Sequence, residues 1–183
     1  MRFLSLLLLS AAANLALAAG PAAPIPVVVT ANTILDDLVR QVGGDQVSTS
    51  CLIQPGADPH TFEPRPADVK LLVAADLLVV NGLALEPSVL KLAANCGFRG
   101  PIVVATTGIT PRSGACTHDH EHTAHSDLPA THSSLLATSS DPHAWQAPRN
   151  VAVYVANIRD ALVRANPAAA DGYRARAAAY LEA

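Results

Sequence analysis

Short runs of β-branched residues alternate with helix-length segments along most of this chain, and that alternation restricts the fold more than any other feature. "IPVVVT" (residues 25–30), the stretch 47–53, "DLLVVNG" (76–82) and "PIVVAT" (101–106) each read as a strand. Each of the first three is followed by a segment with helical periodicity or helix-start signals. Strands joined through helices run in one direction, so the pattern predicts βαβ units on a parallel sheet.

The punctuation agrees. Thr30 or Asn32 can cap a helix carrying Ile34, Leu35, Leu38, Val39 and Val42, which Gly43 and Gly44 end. Pro66 at a first-turn position, with Asp68 just inside, opens a second helix. "EPSVLKLAANCG" reads as a third, and "NVAVYVANIRDALVRANP" carries Val151, Tyr154, Val155, Ile158, Leu162 and Val163 on one stripe. The expected fold is α/β, a three-layer sandwich around a small, mostly parallel sheet. Pro167 then restarts a helix that reaches Ala183 without a glycine, proline or polar cap to end it, so more protein is expected beyond it.

The tripeptide Asp-Pro-His occurs twice, in "DPHTFEP" (58–64) and "DPHAWQAP" (141–148), both in predicted loops. Pro59 fixes its own φ and holds Asp58 in extended conformations, so His60 emerges from backbone with little freedom left to lose. Pro142 does the same for His143. Ligand groups held this way bind at a smaller entropy cost, and neutral imidazole is the commonest nitrogen ligand for zinc and similar ions. The ring nitrogen turned away from a metal needs an acceptor, which Asp58, Glu63, Asp141 or a backbone carbonyl can supply. One such tripeptide alone reads first as a surface histidine after an ordinary turn; two copies in predicted loops, with that of His60 at the carboxyl end of a strand, where α/β sheets collect ligands, raise the metal reading beside it. Trp145 either walls that site or anchors its segment to the core.

Between residues 106 and 140 the periodicity lapses into Gly, Pro, Ser, Thr and His, including "CTHDHEHTAHSD". A connection this long inside a compact domain is functional or disordered. His118, His120 and His122 alternate with Asp119 and Glu121, and His125 follows. Extended, the three alternating imidazoles face one way; helical, His118 and His122 share a face. Such tracts read as auxiliary metal capture, against the plainer reading of a polar linker. Free imidazoles protonate near about 6.5, so this capture is expected to fail in mildly acid medium.

With these residues in view, "PGADPHTFEPRPADVKLLVAADLLVVNGLALE" and "DPHAWQAPRNVAVYVANIRDAL" resemble the periplasmic solute-binding proteins of zinc and manganese ABC importers. The resemblance runs through nearly all of the chain after residue 18. It implies two lobes bridged by a long helix, a metal ion in the cleft, and delivery to an ABC permease in the inner membrane. His60 and His143 match the first two metal ligands; the other two belong to a second lobe absent from this chain. The implied organisation is a signal peptide at 1–18, an amino-terminal metal-binding lobe at 19–165 with the His-rich loop at 106–140, and the start of the linking helix at 166–183. Zinc-binding members often carry a His-rich loop between their first two histidines, and imidazole suits zinc better than manganese, which prefers oxygen. Zn2+ is therefore the expected ion and Mn2+ the alternative.

Other features narrow the surroundings. "MRFLSLLLLSAAANLALAAG" has Arg2, a short apolar run and an A-x-A site at Ala16, Leu17 and Ala18, the pattern of a cleavable secretory signal. A periplasmic protein without a transmembrane segment is expected, as a monomer. A net charge of −3 and 4% aromatics argue against nucleic acid. Cys51, Cys96 and Cys116 allow at most one internal disulfide; Cys51 with Cys96 is one option and two buried thiols the other. No H-E-x-x-H or comparable constellation supplies a catalytic base, so an enzyme is not expected, although a zinc-dependent hydrolase and a free-standing zinc buffer or chaperone remain rivals.

Overall fold

The computed structural model describes residues 24–112 and 140–183. The four short strands are β1 (Val27–Thr30), β2 (Ser48–Cys51), β3 (Leu77–Val80) and β4 (Ile102–Val104), all parallel, in the order β2-β1-β3-β4. The α/β fold expected from the alternation is the one observed. β2 is shorter than residues 47–53, but the amides of Leu52 and Ile53 still bond to Thr30 and Ala31, so its register carries on past the strand.

Strand order places the helices. The chain leaves β1 toward β2, then crosses back over β1 to β3 and on to β4, and right-handed crossovers put successive helices on opposite faces where the direction reverses. α1 (Thr33–Gly43) lies on one face, where it packs against α4 (Pro148–Ala165) and α5 (Ala170–Glu182). α2 (Pro66–Val73) and α3 (Pro87–Asn95) contact each other on the other. β3, covered on both sides, is buried at all four positions, as its unbroken Leu-Leu-Val-Val run requires. Complete burial of such a side chain contributes about 1.5–3 kcal/mol, so this strand is the centre of the core.

The helix ends are closed by particular groups. Of the two cap candidates for α1 it is Asn32 that accepts from the Leu35 amide, at 3.1 Å, while Thr30 ends β1. At the other end Arg176 of α5 donates to the Val42 and Gly43 carbonyls at 2.8 and 2.7 Å, and Tyr173 donates to Gln46 at 2.8 Å. These bonds, with buried Tyr173 and Ala177, fasten α5 to α1 and the turn that follows it. On α4 the buried stripe is Tyr154, Val155, Ile158, Ala161 and Leu162, with Val151 and Val163 half-buried at its margins. Among the described residues no helix is long and apolar enough to cross a membrane. Cys51 and Cys96 are free thiols, each donating to a nearby carbonyl, and burial pushes the Cys51 thiol up. Cys116 and the signal-like residues 1–18 lie outside the described residues.

Candidate metal site

Both Asp-Pro-His loops lie at the carboxyl end of the sheet, one after β2 and the other between β4 and α4. The local sequence builds the same turn twice. Asp58 Oδ1 accepts the His60 backbone N–H at 2.9 Å, and Asp141 Oδ1 accepts that of His143 at 2.9 Å. Proline between them fixes the approach, and residues 59–61 wind into a single 3-10 turn.

Eighty-three positions apart in sequence, the two rings meet edge to face, with His60 Nε2 and His143 Nε2 3.5 Å from each other. Zinc–nitrogen bonds of about 2.0–2.1 Å would span that gap with an N–Zn–N angle of roughly 115–120°, close to tetrahedral. At His143 the tautomer is set by Asp141, whose Oδ1 lies 2.8 Å from Nδ1. Nδ1 therefore carries the proton and Nε2 turns its lone pair toward His60. The His143 backbone N–H first, and its ring N–H second, hold Asp141 below the usual carboxylate range. Of the acceptors expected from sequence, Asp58 bonds the backbone of His60 and not its ring, and Glu63 bonds neither.

Trp145 both walls and anchors. Its indole sits edge-on to the His143 ring at 5.3 Å while packing on the core. Behind this loop lies a buried polar hub that the sequence reading did not single out. Asn81, at the end of β3, donates through Nδ2 to the Pro142 carbonyl at 3.0 Å and to Gly82 at 2.9 Å. Its Oδ1 accepts from the Tyr154 hydroxyl, and its backbone N–H donates to Glu86 Oε1. Burial pushes Glu86 up to about 8, although the backbone N–H groups of Asn81, Glu86 and Gly82 favour its ionised form. A polar residue closing the buried run "LLVV" is the signal that would have drawn attention to Asn81.

Among the described residues no group of three or more His, Cys, Asp or Glu side chains converges as a metal cluster, so no third such side chain joins the histidine pair there. His118, His120, His122 and His125 lie outside the described residues.

Residues 28–183 match the family described as ZnuA, zinc-uptake complex component A, periplasmic, and the chain belongs to that family. It is similar to the iron-binding protein YfeA of Yersinia pestis, 34% identical over 155 residues that cover 85% of this chain and 44% of YfeA. A manganese-bound periplasmic metal binding protein from candidatus liberibacter asiaticus shares the fold with a TM-score of 0.70 and 29% identity, covering 86% of this chain and 52% of that one. The Zn(II)-bound ZnuA-like domain of Streptococcus pneumoniae AdcA does so with a TM-score of 0.66 and 26% identity, covering 87% and 51%. The chain thus spans about half the length of these proteins, and the metals in their names differ.

Proposed function

We propose that this chain is the amino-terminal lobe of a periplasmic substrate-binding component of an ABC importer, with His60 and His143 as two of the ligands to a divalent metal cargo. Zinc is the favoured ion and manganese the alternative. The observation that carries the reading is the 3.5 Å approach of two Nε2 atoms delivered by separate loops. Family membership supports the class of protein, and the YfeA, liberibacter and AdcA matches extend across iron, manganese and zinc. Zinc is preferred because both ligands are imidazoles, which suit zinc better than the harder manganese ion. The tract with His118, His120, His122 and His125 adds further imidazoles between the two ligands in sequence, as an auxiliary collector.

In this reading the chain has no catalytic role. Its residues hold the ion and present it: His60 and His143 donate nitrogen lone pairs, and Asp141 keeps the His143 proton on Nδ1. Water or a second lobe completes the coordination of zinc, which takes four ligands in closed sites. The start of the bridge to that lobe is α5, and the partner is an inner-membrane permease.

The test uses a histidine-trimmed full chain carrying His118→Ala, His120→Ala, His122→Ala, His125→Ala, His132→Ala and Cys116→Ser, which leaves His60 and His143 as its imidazoles. Calorimetric titration is expected to find one zinc per chain, tighter than manganese, and no such binding after either His60→Ala or His143→Ala. Zinc binding that persists in both single variants would sink the proposal.

A further inference from the structure

Two hinged imidazoles make a metal site only if their loops are held in register, and the two loops are held very differently. On the His60 side the exposed turn rests on its own Asp58 and prolines. On the His143 side one buried side chain reaches out of the sheet to the loop. Asn81 has no solvent exposure, and every polar atom it owns is used. Its backbone N–H bonds Glu86, its backbone oxygen accepts from the Thr106 hydroxyl at 2.6 Å, and both amide hydrogens and the amide oxygen are engaged as described.

That arrangement is directional. Turning the amide over would set its oxygen against the Pro142 and Gly82 carbonyls, so the side chain has one orientation. The Tyr154 hydroxyl, itself fully buried on α4, has Asn81 Oδ1 as its acceptor and reinforces it. The bond to Pro142 is the last buried fixed point before His143, whose backbone then sits at φ −83° and ψ 44°, outside any regular element. A carbonyl displaced by half an ångström there moves Nε2 at the end of the imidazole by more.

We propose that Asn81 is the positioning residue of this site, acting through the Pro142 carbonyl to place His143 within sharing distance of His60, with Tyr154 orienting its amide. The inference rests on reading the histidine pair as a metal site. Asn81 and Tyr154 touch no ion; they set the distance between the groups that do. Groups that orient ligands in this way typically change metal affinity by 10- to 100-fold when removed.

Cobalt(II) is the probe, because its d–d absorption reports ligand geometry as well as occupancy. In the histidine-trimmed chain, Asn81→Ala is expected to weaken cobalt binding 10- to 100-fold and shift the d–d bands, with Tyr154→Phe in the same direction by severalfold. Tyr154→Phe removes a single hydroxyl and decides the matter if Asn81→Ala does not fold. The control is Asn157→Ala, which likewise deletes two amide-to-carbonyl bonds, to Ala105 and Thr107 at 2.8 and 2.9 Å, without touching the Pro142 loop. It is expected to lower the melting temperature while leaving cobalt affinity within twofold and the spectrum unchanged. An Asn157→Ala chain as impaired in binding as Asn81→Ala would overturn the positioning role in favour of general destabilisation. So would unchanged affinity and bands in both Asn81→Ala and Tyr154→Phe, provided His60→Ala and His143→Ala each abolish the signal. If neither histidine variant abolishes it, the site itself fails and this inference with it.

Discussion

In the loop after β2 and in the loop before α4 an aspartate accepts the backbone N–H of the histidine two residues on, at the same 2.9 Å. Beyond that shared turn the two loops diverge. Asp58 stops at the backbone, and among the described residues the exposed His60 ring has no carboxylate partner, whereas Asp141 also takes the His143 ring N–H. The His143 loop is pinned from behind by Asn81 and flanked by Trp145. One side of the site is therefore adjustable and the other fixed. Of the two imidazoles, that of His143 has a position defined by buried groups and that of His60 can adapt to it.

The fixed side is built on buried polar groups, so it is also the side that pH should disturb most. Glu86 is 2% exposed, and burial raises its carboxyl to about 8. A carboxyl whose folded value lies above its unfolded value of about 4.3 binds its proton more strongly when folded. Its contribution to stability is fully present below that unfolded value, is lost as pH rises toward 8, and stays constant beyond. The loss across this window is on the order of a few kcal/mol. Thermal melting followed from pH 5 to 8.5 should show a falling midpoint in the natural chain and a flatter profile in Glu86→Gln. Parallel profiles in the two would refute a buried proton on Glu86. On the adjustable side the acids Asp58 and Glu63 are exposed.

Each loop system also contains a glycine at positive φ, and the surroundings again separate them. Gly82, at φ 84°, is followed by Leu83 and Ala84 at 54° and 60°, a left-handed run that the Glu86 carboxyl closes. A methyl group there would lie 2.5 Å from Val104 Cγ1 and 3.1 Å from Thr106 Oγ1. Gly56, at φ 82°, has nothing within 4 Å of the same position. Gly56→Ala should cost about 1 kcal/mol, the left-handed strain alone. Gly82→Ala adds overpacking and should cost about 2–4 kcal/mol. Chemical denaturation of the two variants measures the difference, and equal costs would mean that the β3–α3 loop is not held as tightly as its contacts imply.

The same contrast explains what could be read from sequence. β3, the capping of α1 and the Asp-Pro turns are products of residues within a few positions of one another; "DLLVVNG" and the two tripeptides show theirs directly, and the sequence narrows the cap to Thr30 or Asn32, of which the structure takes Asn32. The pairing of His60 with His143 depends on strand order, which put their loops at the same sheet end; the repeated motif hinted at it but only the topology delivers the 3.5 Å approach. Asn81, Glu86 and Tyr154 were not legible as a unit. They are scattered through "NGLALE" and a helix stripe where Tyr154 reads simply as an apolar core residue, and their bonds span up to 73 positions. Asp141 was one of several carboxylates that could have served either ring, and proximity in sequence does not decide between a bond to the backbone and a bond to the ring.

The smallest expected effect isolates that last distinction. Asp141→Asn keeps the turn, because an asparagine oxygen accepts the same backbone N–H and asparagine suits such turns as well as aspartate does. What it loses is the negative charge against the His143 Nδ1–H, which raises the basicity of Nε2 and stabilises the charge donated to a metal. Zinc affinity in the histidine-trimmed chain should fall about tenfold, the lower end of the range for such partners. Asp58→Asn makes the same chemical change where the carboxylate touches backbone only, and should alter affinity by no more than about twofold, since the acceptor in the turn is preserved. The ratio between the two variants is the informative quantity. A ratio near one with both variants weakened would mean that His60 acquires a carboxylate partner once the ion is bound. A ratio near one with neither weakened would mean that the Asp141 contact with the His143 ring does not support the ligand, and in either case the two sides of the site are less different than their geometry in the free chain indicates.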